Sequence, residues 1–475
     1  MVFLDKLVSL LNGYLWDYLL IIMLIGLGIF FSFKTGFVQI RCLGEMFHVL
    51  GEGLSHSSDK TRTGISSFQA FCIGVASRVG VGNLAGVAMA IFYGGPGAVF
   101  WMWLIALMGG ASSFVENTLA QIYKVKDGEN FKGGPAYYME LALNKRWMGV
   151  IFAVLISLCF GWAFNALQAN TITAAFDQAF GLNPVIVGTL LTIATLLIIF
   201  GGVHRIAKIS SVVVPIMALG YIGLTLFIIG KNITAIPGIF ALIFTSAFGP
   251  EQFVGGVFGA AIMQGIKRGL FSNEAGMGSA PNAAATATIS HPVKQGLIQT
   301  LGVFTDTLLI CSCTAFIVLI SSESLTMGQG VQITQYAIST QVGPWGNIFV
   351  AICIFLFAFT SIIGNYAYAE GNIKFIKDNK AFLMGYRLCV GGMILFGSLA
   401  KIQLVWDIAD LFMGLMAVTN LIALFFLYKI PVCALDDYLK QKKLGIDPVF
   451  YADSISLPHP ETVTCWKKKN NETIF

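Results

Sequence analysis

Two short runs of glycine and polar residues interrupt long apolar stretches of this 475-residue chain. The first run, residues 77–83, reads Ser-Arg-Val-Gly-Val-Gly-Asn, and the second, residues 272–279, reads Ser-Asn-Glu-Ala-Gly-Met-Gly-Ser. Unwound backbone in a membrane leaves N–H and C=O groups that lipid cannot satisfy, so such breaks persist only where they are buried or line a polar cavity. One break in each half of a chain is typical of the central binding site of a transporter.

The first break has the chemistry to bind a carboxylate and a hard cation. Gly80 and Gly82 leave their backbone N–H groups sterically open, and a half-helix starting near Asn83 adds the positive end of its dipole. A half-helix ending near Ala76 offers free carbonyl oxygens, which suit a cation such as Na⁺. The alternative is that the two glycines only allow close helix packing.

The second break carries an acid, Glu274, which is costly at membrane depth unless it is paired or protonated. Arg78, Lys267 and Arg268 are the cations available to it, and we expect Glu274 to pair with one of them and to shape or close the site. The alternative is that Lys267 and Arg268 extend to an interface while Glu274 faces water. Glu116, near the end of its apolar stretch, is expected to anchor that helix end.

Further polar residues lie in the middle of apolar stretches. Gln168 and Asn170 have side chains that can bind the polar groups of a ligand, and Asp306 is a lone acid suited to a cation or a proton. The hydroxyls of Thr360 and Ser361 can ligate a cation. Serine and threonine in membrane helices often bond only to the preceding turn, so that reading stays open for these two.

The composition is that of a polytopic membrane protein. Hydrophobic residues make up 56% and charged residues 11% of the chain, with a mean hydropathy of +0.78, whereas soluble domains carry about 25% charged residues. The nine cysteines are scattered singly and are expected to be small apolar side chains. A spanning helix needs about 20 apolar residues, and eleven stretches qualify: 15–33, 65–92, 96–123, 148–177, 184–202, 211–230, 253–287, 296–321, 345–372, 383–400 and 405–428.

The lysines and arginines orient these spans. With the N-terminus outside, 23 of the 29 fall in segments on the cytoplasmic side, three fall on the opposite side and three lie within the broken spans. The positive-inside rule therefore predicts a plasma (inner) membrane protein with a cytoplasmic C-terminus. This bias also accounts for the net charge of +5, so no nucleic-acid partner is implied.

The spans divide into two equal sets once the first is set aside. Each set of five begins with a broken helix, and because five is odd the second set is inverted relative to the first. The predicted organisation is an N-terminal helix with an amphipathic cytoplasmic segment (1–64), a first five-helix repeat (65–230), a second five-helix repeat (231–430) and a cytoplasmic tail (431–475).

Three motifs carry a resemblance to a known family. Residues 74–87, residues 94–103 and residues 267–283, which hold both breaks, resemble the alanine or glycine:cation symporter family, and the similarity extends to about residue 431. The resemblance implies an all-α LeuT-type core of two inverted five-helix repeats with one added N-terminal helix. It also implies Na⁺-coupled, or sometimes H⁺-coupled, uptake of small neutral amino acids by alternating access, with no cofactor and no enzymatic reaction.

The resemblance also implies roles for particular residues. The substrate carboxylate would lie on the first break, its amino group would face the second, and Na⁺ would bind between the first break and the span at 345–372. Some relatives carry tryptophan at the position of Asn365, so the preferred side-chain size stays open. The substrate-binding set is Val79, Gly80, Val81, Gly82, Asn83, Gln168, Asn170, Phe271, Ala275, Gly276, Ser361 and Asn365. The cation set is Ala76, Val79, Phe357, Thr360 and Ser361, with Asp306 serving Na⁺ or H⁺, and Arg78 and Glu274 are gating or structural charges.

Other functions are weighed against this one. The main alternative is uptake of another small amino acid, such as D-alanine, serine or glutamine, coupled to Na⁺ or H⁺. An intramembrane enzyme would need a nucleophile–base pair or a metal cluster, and a channel would need a repeated pore loop or a ring of charge; the sequence shows none of these. The expected partners are the amino acid, Na⁺ and the lipid bilayer, and the expected functional unit is a monomer.

Overall fold

The computed structural model describes residues 2–57, 64–128, 130–248 and 257–467, and these residues are mainly helical. The helices of the first half are α1 (Val2–Tyr14), α2 (Leu20–Lys34), α3 (Val38–Arg41), α4 (Leu43–Ser57), α5 (Ser67–Arg78), α6 (Val87–Gly94), α7 (Gly97–Ile122), α8 (Pro135–Leu141), α9 (Arg146–Leu158), α10 (Asn165–Phe180), α11 (Pro184–Ile199) and α12 (Gly202–Lys231). Those of the second half are α13 (Ile236–Phe248), α14 (Val257–Asn273), α15 (Ala280–Ala284), α16 (Pro292–Phe304), α17 (Ser312–Ile320), α18 (Val331–Val342), α19 (Trp345–Ile376), α20 (Lys380–Leu399), α21 (Ile402–Leu427) and α22 (Lys429–Lys443).

Short elements complete the described chain. An antiparallel hairpin pairs β1 (Val125–Asp127) with β2 (Asn130–Lys132). Wider π-helical turns occupy Leu15–Leu19, Gly82–Gly86, Cys159–Phe164 and Thr305–Cys311, and 3₁₀ turns occupy Ile233–Ala235, Ser322–Thr326 and Pro460–Thr462. Two of the π-helical turns, Gly82–Gly86 and Thr305–Cys311, contain residues of the predicted site. Such turns are often found at functional sites.

Eight helices within the described residues are long and apolar enough to cross a membrane, and there are nine if α5 and the segment Gly82–Gly94, bent by 47°, form one span. These nine coincide with nine of the predicted spans. Of the other two, 184–202 contains the shorter apolar helix α11. The stretch 253–287 begins outside the described residues, at 253–256, and holds α14, the second break and α15. The count of eleven therefore stays a prediction.

The packing surrounds the two breaks with helices from both halves of the chain. Helix α7 packs against α14 and α16, helix α5 packs against α12 and α19, and α10 packs against α19 and α20. Helix α5 begins with a reciprocal cap, because the Ser66 hydroxyl accepts from the Gln69 N–H and the Gln69 side chain accepts from the Ser66 N–H. This cap fixes where the first broken span starts.

Helices α13 and α18 are among those that lie in segments where the sequence analysis placed none. Helix α13 has 13 residues, and helix α18 has 12. A search for 20 apolar residues passes over both because they are too short. Helix α18 packs close to the first break, where the Thr334 hydroxyl donates to the Leu84 carbonyl at 2.9 Å.

The C-terminal segment, which the sequence predicted as a solvated or membrane-skimming cytoplasmic tail, folds back onto one end of the helices. The Trp466 indole N–H donates to the Gln121 carbonyl at 2.9 Å, and the Phe450 N–H donates to the Ser290 carbonyl at 3.0 Å. Lys124 lies between the Phe131 and Trp466 rings, 4.2 and 4.7 Å from their centroids. The described part of the tail is thus packed against α7 and the segment that precedes α16, while residues 468–475 lie outside the described chain.

Candidate functional site

The first break is a sharp change of direction, and a side chain at Gly80 would clash with its neighbours there. Helix α5 ends as Val79 turns to φ −77°, ψ 89°, and the chain re-enters helix through the π-helical turn Gly82–Gly86. A Cβ on Gly80 would lie 2.4 Å from the Ser361 hydroxyl and 3.0 Å from the Gln168 side-chain amide. Side chains from α10 and α19 therefore contact the bare backbone at this point.

The backbone donors of the first break are held by side-chain amide oxygens. The Gly80 N–H donates to Asn83 Oδ1 at 2.9 Å, and the Val81 N–H donates to Gln168 Oε1 at 3.1 Å. The sequence predicted open N–H groups, whereas the structure shows each with a neutral acceptor. A carboxylate is a stronger acceptor than an amide oxygen, so these two donors form a site that a substrate carboxylate can enter by displacing the side chains.

Aromatic side chains cover the other side of the same break. A Cβ on Gly82 would lie 2.8 Å from the Phe271 ring. The Phe271 ring centroid lies 4.7 Å from that of Phe164 and 5.0 Å from that of Trp406. Phe271, expected to close the pocket, thus packs directly against the break.

Several oxygen atoms converge on the Ser361 hydroxyl. It lies 2.8 Å from the Ala76 carbonyl oxygen, 3.3 Å from that of Val79 and 2.9 Å from that of Phe357. A hydroxyl has one proton, so it can satisfy one of the three carbonyls at a time. The hydroxyl of Thr360 stays on its own helix, 2.8 and 2.9 Å from the carbonyls four and three residues earlier. The structure therefore gathers oxygens from α5, the first break and α19, with Ser361 at their centre.

The two breaks touch each other through Ser77 and Glu274. The Ser77 hydroxyl lies 2.9 Å from Glu274 Oε1 and 2.7 Å from Asn365 Oδ1, and the Ser279 hydroxyl donates to Glu274 Oε2 at 2.6 Å. Glu274 has a left-handed backbone with φ +59°, a conformation that non-glycine residues rarely adopt. Asn365 in turn donates to the Asn165 side-chain oxygen at 3.0 Å.

Asp306 provides a second connection between the breaks. Its carboxylate accepts from Asn83 Nδ2 at 2.7 Å on one oxygen and from the Ser272 and Thr307 hydroxyls at 2.7 and 2.9 Å on the other. All four side chains are buried. In the part of the chain that the structure describes, neither Asp306 nor Glu274 forms an ion pair. Both acids are instead surrounded by neutral donors.

Lys267 and Arg268, two of the three cations predicted to pair with Glu274, bind another carboxylate instead, and Arg78, the third, forms no ion pair with Glu274 among the described residues. Lys267 Nζ lies 2.7 Å from Asp410 Oδ2, and Arg268 forms a bidentate pair with the same carboxylate at 3.0 and 3.2 Å. Asp410 is 1% exposed. Arg78 donates instead to the backbone and side-chain oxygens of a glutamine in α16. A buried carboxylate draws nearby cations strongly, because each ion is costly to bury alone.

The second break is filled by a carboxylate of the chain itself. Glu116 accepts from the Gly276 N–H on one oxygen and from the Gly278 N–H on the other, both at 3.1 Å. Asn420 donates to Glu116 at 2.9 Å and to the Gly276 carbonyl at 3.0 Å, and its own oxygen accepts from the Tyr138 hydroxyl. Glu116 was expected to anchor a helix end. Its carboxyl oxygens instead accept hydrogen bonds from the backbone donors of the second break. The Gly276 carbonyl predicted for the substrate amine is likewise engaged.

Two other predicted residues lie away from the first break. Asn170 donates to the Gly397 and Ala400 carbonyls, at 2.8 and 2.9 Å, where helix α20 ends. Ala275 packs in a small cluster with Ala106 of α7 and with Val303 of α16. The structure thus brings Gln168, Phe271, Ser361 and Asn365 to the breaks but not Asn170 or the side chain of Ala275.

Comparison with known proteins assigns the chain to a family. A model of the sodium:alanine symporter family matches residues 1–452. The chain belongs to this family. The symporter is 55% identical over 471 residues to the probable sodium/glutamine symporter GlnT of Bacillus subtilis, covering 99% of this chain and 98% of that protein. It is 52% identical to the amino-acid carrier protein AlsT of the same organism, covering 99% of both chains.

More distant relatives extend the comparison. The symporter is 37% identical to the sodium/alanine symporter AgcS of Methanococcus maripaludis, covering 89% of this chain and 94% of that one. A manganese transporter from Eremococcus coleocola shares the fold, with a TM-score of 0.51 at 14% identity over 81% of each chain. The protein is therefore a multi-pass membrane transporter of amino acids and not an enzyme.

Sequence reasoning missed the residues that fill the second break of this symporter. Glu116 lies in helix α7 with Ser112, Ser113, Asn117 and Thr118, all of them buried. Positions three and four apart share a helix face, so this group was a visible signal of a polar face inside the protein. Its partner, Asn420, comes from the last span, more than 300 residues away, and no local pattern indicates that contact.

Proposed function

We propose that this symporter couples inward Na⁺ movement to the uptake of a small neutral amino acid by alternating access. One observation carries the proposal, namely that the oxygens around Ser361 lie beside the backbone donors of the first break. Carbonyl oxygens at a helix end suit Na⁺, and N–H groups at a half-helix start suit a carboxylate. One short stretch of backbone thereby serves both ligands.

The architecture we propose for this function is the LeuT-type one. Ten of eleven spans form two inverted repeats, 65–230 and 231–430, after the N-terminal region 1–64 and before the tail 431–475. The N-terminus is outside and the C-terminus cytoplasmic in a plasma (inner) membrane, as the lysine and arginine distribution favours. A monomer suffices, since both breaks belong to one chain.

Each ligand has an assigned position in this proposal. The substrate carboxylate replaces the amide oxygens of Asn83 and Gln168 on the donors of Gly80 and Val81. Na⁺ binds the Ala76 and Val79 carbonyls with Ser361, while Phe357 offers a further carbonyl and Thr360 adjoins them. Gly82 and Phe271 form the wall of the pocket. Asp306, whose carboxylate forms no ion pair among the described residues, is the group that would accept H⁺ or a second cation.

Glu274 is the acid available to the substrate amine. Its carboxylate contacts Ser77 of the first break, while the second break's own amides are taken by Glu116. An ammonium group near Glu274 would give this buried acid an ion-pair partner, which it lacks among the described residues. Binding of substrate would then draw the two breaks together, and because linkage is reciprocal, Na⁺ and substrate would favour each other.

Glutamine is a second candidate substrate beside alanine and glycine. The buried side-chain amides of Asn165 and Asn365 face each other across one hydrogen bond of 3.0 Å. An amide both donates and accepts, so a carboxamide can insert between them and keep every partner satisfied. The relative named as a probable sodium/glutamine symporter, at 55% identity, supports this reading. The family description and AgcS support alanine.

Transport by the purified protein tests both the coupling and the substrate. In proteoliposomes, labelled alanine, glycine or glutamine should accumulate only with an inward Na⁺ gradient, and a panel of unlabelled L- and D-amino acids should reveal the preferred cargo by competition. Strong competition by glutamine and weak competition by glycine would favour the carboxamide reading. Uptake that persists after both the Na⁺ and the H⁺ gradients are collapsed would reject symport.

Ser361→Ala should raise the Na⁺ concentration for half-maximal uptake by about tenfold. The substitution removes the hydroxyl on which three carbonyls converge, and loss of one such contact is worth about 1 kcal/mol or slightly more. Thr360→Ala is the matched control, because its hydroxyl bonds only within helix α19 apart from a 3.8 Å sulfur contact. We expect less than a threefold change there, as measured by Na⁺ titration of initial rates. An unchanged Na⁺ requirement in Ser361→Ala would remove Ser361 from its assigned position, and an equal increase in both variants would add Thr360 to the ligands.

A further inference from the structure

A cavity of about 400 Å³ lies between the β1–β2 hairpin, the start of α12 and the last turns of α19. The segment that follows the second break also lines it, through Asn282 and Thr286. Pockets of about 300–1,000 Å³ bind small molecules in proteins, so this volume is ample for one amino acid.

Asn282 connects this cavity to the second break. Its side-chain N–H groups donate to the Gly278 and Ser279 carbonyls at 3.0 and 2.7 Å, and its oxygen accepts from Asn372 at 2.8 Å. A Cβ on Gly134 would lie 2.4 Å from that oxygen, so the chain is closely packed around it. Asn282 therefore contacts the second break with its N–H groups and also lines the cavity.

Charges of both signs line the cavity. Lys374 lies 3.3 Å from Asp127 and 3.2 Å from Glu370, and Lys132 lies 3.4 Å from Asp127. Outside the cavity, Asp378 and Arg387 pair with the same groups, at 3.5 Å from Lys132 and 3.4 Å from Glu370. The four lining side chains are between 13% and 33% exposed.

Such partly exposed ion pairs exchange partners at low cost. Each is worth roughly 0–1 kcal/mol, so a ligand that offers one charge of each sign can replace a pair without leaving a charge alone. An amino acid is that ligand, because its carboxylate matches the lysines and its ammonium matches the acids. A solute with a single charge could bind only one member of a separated ion pair and would leave the other member without a partner.

We propose that this cavity is a release site on the cytoplasmic side, where a zwitterionic amino acid pauses after leaving the breaks. The inference rests on the proposed function and orientation, and it adds a second, weaker binding position. Lys374 and Lys132 receive the carboxylate there, and Asp127 and Glu370 receive the ammonium. The binding is weak because the groups are partly hydrated, which suits a position from which the substrate must depart.

Kinetics measured separately from the two faces of the membrane test the release site. Everted vesicles report the half-saturation constant for the amino acid on the cytoplasmic face, and right-side-out vesicles report it on the outer face. Lys374→Gln and Asp127→Asn should each raise the cytoplasmic constant by about fivefold, the factor expected for one partly exposed charge contact. The outer constant should be unchanged, which also shows that the variants are folded.

Matched controls remove a charge from exposed positions that do not line the cavity. Lys145→Gln and Asp436→Asn do this at exposed side chains, and both should leave the two constants as in the wild type. An unchanged cytoplasmic constant in the cavity variants, or an equal change on both faces, would overturn the release site. Absence of Na⁺-dependent uptake by the wild type would instead reject the proposed function, so the two failures are distinguishable.

Discussion

Gly80→Ala should lower Na⁺-dependent uptake by at least about 100-fold while leaving the protein folded in the membrane. The added methyl would lie 2.4 Å from the Ser361 hydroxyl and 3.0 Å from both polar atoms of the Gln168 amide. It must therefore displace both a proposed cation ligand and the acceptor that holds the Val81 N–H. A misplacement of about 1 Å in a functional site can cost about 100-fold in rate, and here two ligand positions move together.

Gly86→Ala is the control for this prediction. It adds the same methyl to the π-helical turn that follows Gly80, but its nearest neighbour is the edge of the Trp406 ring at 3.7 Å, an ordinary contact. Uptake by this variant should stay within about twofold of the wild type, because the turn already has helical geometry and alanine favours helix. Initial rates normalised to protein in the membrane give the comparison. Wild-type uptake by Gly80→Ala would show that the first break serves only helix packing.

The sequence was sufficient to locate the breaks because their residues are improbable at membrane depth. Glycines and polar side chains in the middle of an apolar stretch must either allow close helix packing or form a binding site. Only these two interpretations therefore remain. Gln168 could be placed with them because it is polar in the middle of a span, and Ser361 because the family resemblance implied a cation site there. The structure then showed that both side chains contact Gly80.

Contacts between distant segments could not be predicted in the same way. Lys267 and Arg268 are seven and six residues from Glu274 in sequence, yet both bind Asp410 of α21. Asn170 lies two residues from Gln168, and its side chain still reaches the end of α20. Helical geometry explains the latter, since positions two apart do not share a face. Proximity along the chain was therefore a poor guide to partners in these cases.

The two breaks differ in the acceptors of their backbone N–H groups, which the residue types alone did not show. Both present backbone N–H groups, but the donors of the first are held by neutral amide oxygens and those of the second by the carboxylate of Glu116. A substrate carboxylate would compete easily with a neutral amide and poorly with a carboxyl group whose two oxygens already accept from both donors. The second break is thereby fixed in shape, and the first is free to exchange its partners for a ligand.

Glu116→Leu should be the most destabilising of these substitutions. It leaves the Gly276 and Gly278 N–H groups and one Asn420 donor buried without an acceptor, and each such group costs about 1–3 kcal/mol. We expect the free energy of unfolding in detergent to fall by about 3 kcal/mol or more. Glu116→Gln keeps one acceptor oxygen and should lose about half as much.

Glu140→Leu is the control, because Glu140 pairs with Arg146 at the surface, with side chains 28% and 59% exposed. Loss of such a pair costs about 0–1 kcal/mol. Thermal unfolding of the purified variants, with transport measured on the same preparations, separates stability from function. If Glu116→Leu unfolds at the wild-type temperature, the carboxylate does not hold the second break in place. Its donors would then be as exchangeable as those of the first, and either break could receive the substrate carboxylate.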